Sequence, residues 1–222
     1  MYLPRSFQET REAALQARMR DYPFATVVTA GATGLAANHL PLELVDGRLH
    51  GHVARGNELA KADGAQVLVI FQGPDAYVSP NWYPSKHETG REVPTWNYAV
   101  VHVHGRLRVV EDKTWLRALL ERLTDRHEAG QAQPWHIDDA PADHVEKMLG
   151  AIAGLDIAIE RIEGKFKLSQ NHPSRNQAGV VDARPVVRGV CGRGRRAGGD
   201  RGRRHAHRPP PGRQSVQHHC GR

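Results

Sequence analysis

The chain has 222 residues, 39% of them hydrophobic and 25% charged, with 31 Lys and Arg against 24 Asp and Glu. This length suits one domain with an appendage and is enough to bury a sizeable core. The sequence has no apolar run of about 18 residues and no signal-peptide pattern, so it predicts no membrane partner and a cytoplasmic location.

The charge is unevenly distributed along the chain. Residues 183–222 hold 11 Arg, no Lys and one acid, which leaves 20 basic and 23 acidic residues in 1–182. Both cysteines lie in this Arg/Gly/Pro-rich tail, so the remainder has no thiol for catalysis or for zinc. We therefore predict a domain over 1–182 and a disordered tail over 183–222. Three interpretations of the tail stay open: an arm that binds nucleic acid, a plain linker, or a change of reading frame near Ala183.

The first half of the domain predicts a helix followed by short strands. Ser6, with Glu9 three residues on, has the spacing of a capping box for a helix that runs to Met19. The Asp46-Gly47 pair predicts a tight hairpin turn. The strands predicted around it are 24–29, 36–44 (broken at Pro41) and 48–53, with a short helix over 57–62.

Two aromatic segments, 71–84 and 93–105, hold two of the four Trp and three of the five Tyr. Their apolar runs, 67–71 and 98–103, predict neighbouring buried strands, joined by a polar, Pro-rich loop. Flat rings beside Asn, Gln and Ser can stack on a planar ligand and hydrogen-bond its edge. An aromatic core hairpin with an ordinary loop explains the same pattern equally well.

The second half adds strands and two helices. Leucines at helical spacing predict a helix over 113–128, and a second helix is expected over 141–149. Strands are predicted over 106–110 and 155–167. Mostly antiparallel strands with flanking helices indicate an α+β, mainly β fold built around a barrel.

Candidate chemical groups are few. Arg55 and Asn57 precede a short helix and could form a phosphate site, although a helix cap with a solvated Arg accounts for them as well. His102 and His104 share one strand face but have no third ligand at a suitable spacing, so we predict strand histidines and no metal site. We find no phosphate-binding glycine loop and no nucleophile elbow.

Several blocks of the sequence resemble the PaiB-type FMN-binding negative transcriptional regulators. They are Met1-Tyr2-Leu3-Pro4 with Phe7, the run 37–42, the run 51–57, both aromatic segments and Gly164-Lys165-Phe166-Lys167-Leu168-Ser169-Gln170-Asn171. The resemblance covers residues 1–181. It implies an FMN-binding split β-barrel of the pyridoxamine-phosphate-oxidase type that forms a homodimer with FMN at the subunit interface.

The resemblance also implies a set of FMN contacts. Asn38, His39 and Leu40 would line the flavin, His52 and Val53 would lie against its ring system, and Arg55 and Asn57 would lie near its phosphate. The remaining contacts implied are Gln72, Trp96, Asn97, Lys167 and Gln170.

Two functions follow as hypotheses. The resemblance implies a negative transcriptional regulator, but the acidic body shows no recognisable DNA-binding motif. The alternative is a flavin-dependent oxidoreductase or flavin reductase that uses the same FMN site. A flavin-free dimeric scaffold is a third hypothesis.

Overall fold

The computed structural model describes residues 1–32 and 34–183. The predicted tail lies outside the described residues from 184 onward, as do both cysteines. The described elements, in chain order, are β1 (Gln8–Glu9), α1 (Glu12–Asp21), β2 (Phe24–Gly31), β3 (Gly34–Pro41), β4 (Glu43–Val45), β5 (Arg48–Ala54), β6 (Gln66–Val78), α2 (Pro84–Thr89), β7 (Thr95–Val110), α3 (Lys113–Glu128), α4 (Ala142–Gly150), β8 (Ile152–Lys167) and α5 (Ser174–Asp182).

The strands form one antiparallel sheet that curls into a split β-barrel, with flanking helices as the sequence predicts. The strand order is β3-β2-β6-β7-β8-β5-β4, and β1 adds to β8. The two ends of this order, β3 on one side and the β4–β5 hairpin on the other, meet where the chain leaves β3. There, a methyl group placed on Gly51 of β5 would lie 2.6 Å from Leu42 Cδ2 and 3.0 Å from the Pro41 carbonyl oxygen. Only a glycine allows this close approach.

The core of the barrel consists of aliphatic side chains that alternate along the long strands. Val69 and Phe71 of β6 are fully buried, as are Val101 and Val103 of β7 and Ile157 of β8. Because successive strand residues face opposite sides, the residues between them lie on the outer face of the barrel. One strand pair therefore supplies both the core and an outer surface.

Glycines set the turn after β4 and the bend in β7. Asp46 and Gly47 both have positive φ, 47° and 75°, as the predicted hairpin turn requires. The predicted strand 106–110 is part of β7, which continues through a register shift between His104 and Gly105. A methyl group on Gly105 would overlap the Ala158 carbonyl oxygen, so the two strands lie close together there.

The helix predictions are correct in the second half of the domain and partly wrong elsewhere. Asp112 caps α3 by accepting a 2.7 Å hydrogen bond from the Trp115 amide. The predicted capping box at Ser6 is wrong: residues 5–7 form a 3₁₀ turn, and β1 precedes the helix, which begins at Glu12. The predicted Pro-rich loop instead contains a 3₁₀ turn and α2.

The last helix, α5, packs beside α2. A methyl group on Gly179 would overlap the carbonyl oxygen of Trp82, which lies just before α2. Across the described ranges, no helix combines the length and apolarity needed to cross a bilayer.

Candidate functional site

The outer faces of β6 and β7 form an open cavity of about 540 Å³, which we call the outer-face cavity. Three cross-strand pairs make its floor and one edge: Ile70 with His102, Gln72 with Val100, and Asp75 with Tyr98. Trp96 extends the same row of β7 by one further alternate position. The cavity thus combines flat rings, an apolar floor and polar groups at the edge, which is typical of small-molecule sites.

Trp96 lines one end of this cavity and packs against Tyr77, which lies beside the lining. Their rings meet edge to face at 5.9 Å with an interplanar angle of 74°. Trp96 is 53% exposed and Tyr77 is 47% exposed, which is unusual for large aromatic side chains. Both rings are therefore accessible to a ligand, and the core-hairpin interpretation does not describe these two side chains.

His102 is the titratable base of the outer-face cavity. Burial lowers the pKa of His102 below its ordinary value, and the positive N-terminus lowers it further, while Glu163 acts in the opposite direction. Its neighbour His104 lies 3.2 Å from Glu163 through Nε2. At neutral pH the His102 ring is therefore uncharged and offers one donor and one acceptor.

A second group of predicted residues lies where β3 meets the segment after β5. The Asn57 side chain donates a 2.8 Å hydrogen bond to Asn38 Oδ1 and accepts one of 2.9 Å from the Leu59 amide. Arg55 donates to the Gly150 carbonyl oxygen at 2.8 Å and to Glu111 at 2.9 Å. We call Asn38, Arg55 and Asn57 the seam group, because the Asn57–Asn38 bond joins β3 to the segment after β5, which also carries Arg55.

The other predicted residues of β3 and β5 face two different sides. Leu40 and Val53 are buried and point into the barrel core. His39 lies on the outer face, 3.0 Å from Thr26 Oγ1 through Nδ1. The register aligns His39 with Thr26, Thr26 with Ile70, and Ile70 with His102 across four strands.

His52 faces α3 rather than the outer-face cavity. It lines a second cavity of about 340 Å³ between β5 and α3. Its Nδ1 atom is buried and has no hydrogen-bond partner within the described residues. Burial also lowers the pKa of His52.

The last predicted residues gather at the end of β8. Asn97 Nδ2 donates to Ser169 Oγ at 2.9 Å, and Lys167 donates to Thr95 Oγ1 and, at 2.9 Å, to the Trp96 carbonyl oxygen. Gln170 donates to the Phe166 carbonyl oxygen and accepts from the Leu168 amide at 2.7 Å. Lys167 therefore connects the end of β8 to the edge of the outer-face cavity.

The match to known families shows which family the chain belongs to. Residues 1–161 match the model of a family described as "Putative FMN-binding domain". The chain belongs to this FMN-binding family. Its cofactor is FMN, and its fold is a split β-barrel.

Relatives of this FMN-binding chain occur in bacteria and fungi. One is "Protease synthase and sporulation protein PAI 2" of Bacillus subtilis, 34% identical over 82% of this chain and 88% of the relative. An uncharacterized protein of Emericella nidulans is 32% identical, over 82% and 89% of the two chains. The match to the Bacillus protein confirms the PaiB-type resemblance seen in the sequence.

Solved structures share the fold at lower identity. The FAD and heme binding protein from Mycobacterium smegmatis aligns with a TM-score of 0.57 and 22% identity, over 72% of this chain and 73% of that one.

The residues of the outer-face cavity fit an isoalloxazine ring. Trp96 and Tyr98 offer flat faces, Ile70 and Val100 give an apolar floor, and Gln72 supplies an amide that can pair with a ring edge. In the described part of the chain, no three His, Cys, Asp or Glu side chains converge to hold a metal ion.

Sequence reasoning named Gln72 and Trp96 but missed the rest of the cavity, namely Ile70, Asp75, Tyr98, Val100 and His102. The signal that finds the three residues of β7 among them is the strand period of two, whereas a bulge between Gln72 and Asp75 breaks that period on β6. Counting on from Trp96 in steps of two gives Tyr98, Val100 and His102.

Proposed function

We propose that this protein is an FMN-binding regulator of the PaiB type, whose outer-face cavity receives the isoalloxazine ring. The single observation that carries the proposal is the row of Trp96, Tyr98, Val100 and His102 on one face of β7, in a chain of an FMN-binding family. The cavity volume lies within the range of small-molecule sites, about 300–1,000 Å³.

Each group of the cavity has a distinct task in this proposal. Trp96 and Tyr98 would stack on the ring and exclude water from it, while the Gln72 amide would fix its orientation. His102, uncharged at neutral pH, would hold a proton at one ring nitrogen and accept at the other. Bound FMN would supply one- and two-electron redox chemistry.

The seam group would hold the FMN phosphate. Arg55 is charged at any physiological pH, and its side chain remains 40% exposed beside Glu111. Asn57 keeps its position through hydrogen bonds to Asn38 and Leu59. A phosphate would compete with Glu111 for the guanidinium and form charge-assisted hydrogen bonds with it.

We propose that the protein acts as a homodimer, because one protomer distributes these residues over separate faces. Gln72 and Trp96 lie on the outer face of β6 and β7, whereas the seam group lies at the end of β3 and β5. A two-fold arrangement would bring the seam group of one protomer to the outer-face cavity of its partner. The outer face is apolar enough for this: Phe24 is 67% exposed and Leu35 is 81% exposed.

The regulatory role is supported by the relative in Bacillus subtilis, whose name links it to protease synthesis and sporulation. Direct DNA binding by the barrel has little electrostatic support, since residues 1–182 carry 23 acidic against 20 basic side chains. We therefore propose that the flavin state is passed on through a protein partner or a surface of the dimer.

A flavin-dependent oxidoreductase or flavin reductase is the second candidate. The observation that favours it is the pair of titratable groups at the edge of the outer-face cavity, His102 and Asp75. Such groups can deliver or remove protons beside a redox cofactor. The open side of the cavity would leave room for a second substrate.

The visible spectrum of the purified protein, titrated with FMN and then with NADPH, tests both candidates. Flavin bands that persist without turnover support the regulator, whereas catalytic bleaching followed by reoxidation in air supports the enzyme. A protein that neither contains nor binds FMN would refute the proposal. Light scattering of the same sample measures its molar mass and so tests the proposed homodimer.

A further inference from the structure

A second cavity, which we call the α3 cavity, lies between the outer face of β5 and helix α3. Its volume is about 340 Å³, and it is separate from the outer-face cavity in its lining residues. Its lining residues are Pro41, His52, Leu120, Leu123, Thr124, His127, Glu128 and Trp135. Among them, only His52 belongs to the set of expected FMN contacts.

The walls of this cavity are fixed by contacts on several sides. The His50 ring meets the Trp115 ring edge to face at 5.0 Å, which holds the start of α3 on β5. Arg122 of α3 donates to Glu43 at 3.0 Å. The backbone amide of Trp135 donates to Glu128 Oε2 at 3.2 Å, so the segment after α3 folds back against the end of that helix.

The chemistry of the lining selects a type of ligand. Leu120 and Leu123 give an aliphatic floor, and Trp135, 45% exposed, gives a flat accessible ring. His52 adds a polar ring to the lining, and its buried Nδ1 has no hydrogen-bond partner within the described residues. The carboxylate of Glu128 has free acceptor positions beyond its one bond to Trp135, so the cavity favours a positive charge.

We propose that the α3 cavity binds a planar aromatic amine at a site distinct from the FMN site. The ring lies between Trp135 and the leucines of α3, its edge faces His52, and its ammonium group pairs with Glu128. This arrangement is independent of the proposed regulatory role. It gives the protein a second ligand, held between α3 and β5.

The test is isothermal titration calorimetry of the full chain, loaded with FMN, using tryptamine as the probe. Indole-3-acetate, which has the same ring and the opposite charge, is the control ligand. We expect saturable tryptamine binding, and binding of indole-3-acetate at least about tenfold weaker. Equal binding of the two ligands, or no tryptamine binding, would overturn the proposal.

Two variants place the ligand in the cavity. Leu123→Trp fills the space and should abolish tryptamine binding, while Glu128→Gln should weaken it about tenfold, as expected for the loss of one charged partner. Met148→Trp adds the same ring on α4 at a position that is 47% exposed and outside the cavity lining, and it should leave binding unchanged.

The FMN affinity of the same variants separates this proposal from the proposed function. We expect Leu123→Trp to bind FMN like the parent protein. If it loses FMN instead, the α3 cavity is part of the flavin site, and the inference is wrong while FMN binding itself stands. Trp135→Ala, in an exposed segment, provides a second test should Leu123→Trp fail to fold.

Discussion

Replacing Trp96 by Leu should weaken FMN binding and lower the stability of the domain moderately. Trp96 is 53% exposed, so it buries about 100 Å² of the roughly 200 Å² of a Trp side chain. At about 25 cal/mol per Å², and with Leu retaining about half of that contact, the loss is about 1–1.5 kcal/mol. The edge contact with the Tyr77 ring adds about 0.5–1.5 kcal/mol.

A stability loss of about 2 kcal/mol lowers the Tm of a domain of this size by roughly 4–8 °C. Stacking of a planar ring on an aromatic side chain is worth about 1–3 kcal/mol, which corresponds to roughly a 5- to 150-fold loss of FMN affinity. Thermal unfolding and a flavin fluorescence titration measure the two effects separately.

The matched control is Trp82→Leu, since Trp82 packs against Val78, Tyr83 and Val180 away from the outer-face cavity. This variant should lose stability and keep its FMN affinity. The reasoning is refuted if Trp96→Leu loses more than about 15 °C in Tm while its FMN affinity stays intact. In that case Trp96 serves the packing of the hairpin and not the ligand.

Arg55→Ala should weaken FMN binding severalfold or more in the same titration, because a hydrogen bond to a charged group is worth about 1.5–3 kcal/mol; unchanged affinity would move the phosphate elsewhere. Gly105→Ala should lower the free energy of unfolding in urea by about 1–3 kcal/mol, since the added methyl group would overlap the Ala158 carbonyl oxygen; a neutral effect would mean that the strands separate easily. Burial lowers the pKa of His52 below 6.5, so the unfolded chain binds a proton before the folded chain does as the pH falls. The free energy of unfolding should therefore decrease as the pH falls from about 7.5 to about 5.5, and it should decrease less in His52→Gln. Identical pH profiles of the two proteins would contradict this. Truncation after Asp182 should leave the dimer and FMN affinity unchanged and remove any salt-sensitive affinity for nucleic acid; DNA binding that survives truncation and salt would place that surface on the barrel.

Local sequence patterns predict much of this fold because the relevant forces are local. The Asp46-Gly47 turn and the helix over 113–128 depend on backbone preference and on leucine spacing, and both appear in the structure. The predicted helix start at Ser6 is wrong because residues 8–9 pair with β8, a contact more than 150 residues away. Single-sequence patterns contain no information about such a partner.

The site is less predictable than the fold, because it depends on which face of a strand each residue occupies and on what covers that face. Trp96 and Gln72 stand out by residue type, and the structure places both in one cavity. His52 and Val53 are neighbours in the sequence, yet one faces α3 and the other faces the core. No pattern in the run 51–57 shows that α3 covers His52, since the helix that does so begins about 60 residues later.

The closure of the barrel between β3 and β5 has a consequence for its motion. Two contacts join β3 to β5 there: the side-chain bond from Asn57 to Asn38, and the contact of Gly51 with Pro41. Strands that are adjacent in the strand order instead share a ladder of backbone hydrogen bonds. Opening at this line breaks few bonds, so the amide protons of β3 on that side should exchange with solvent sooner than those of β7. A phosphate bound at Arg55 and Asn57 would act as a latch on this line, and its arrival would slow the exchange.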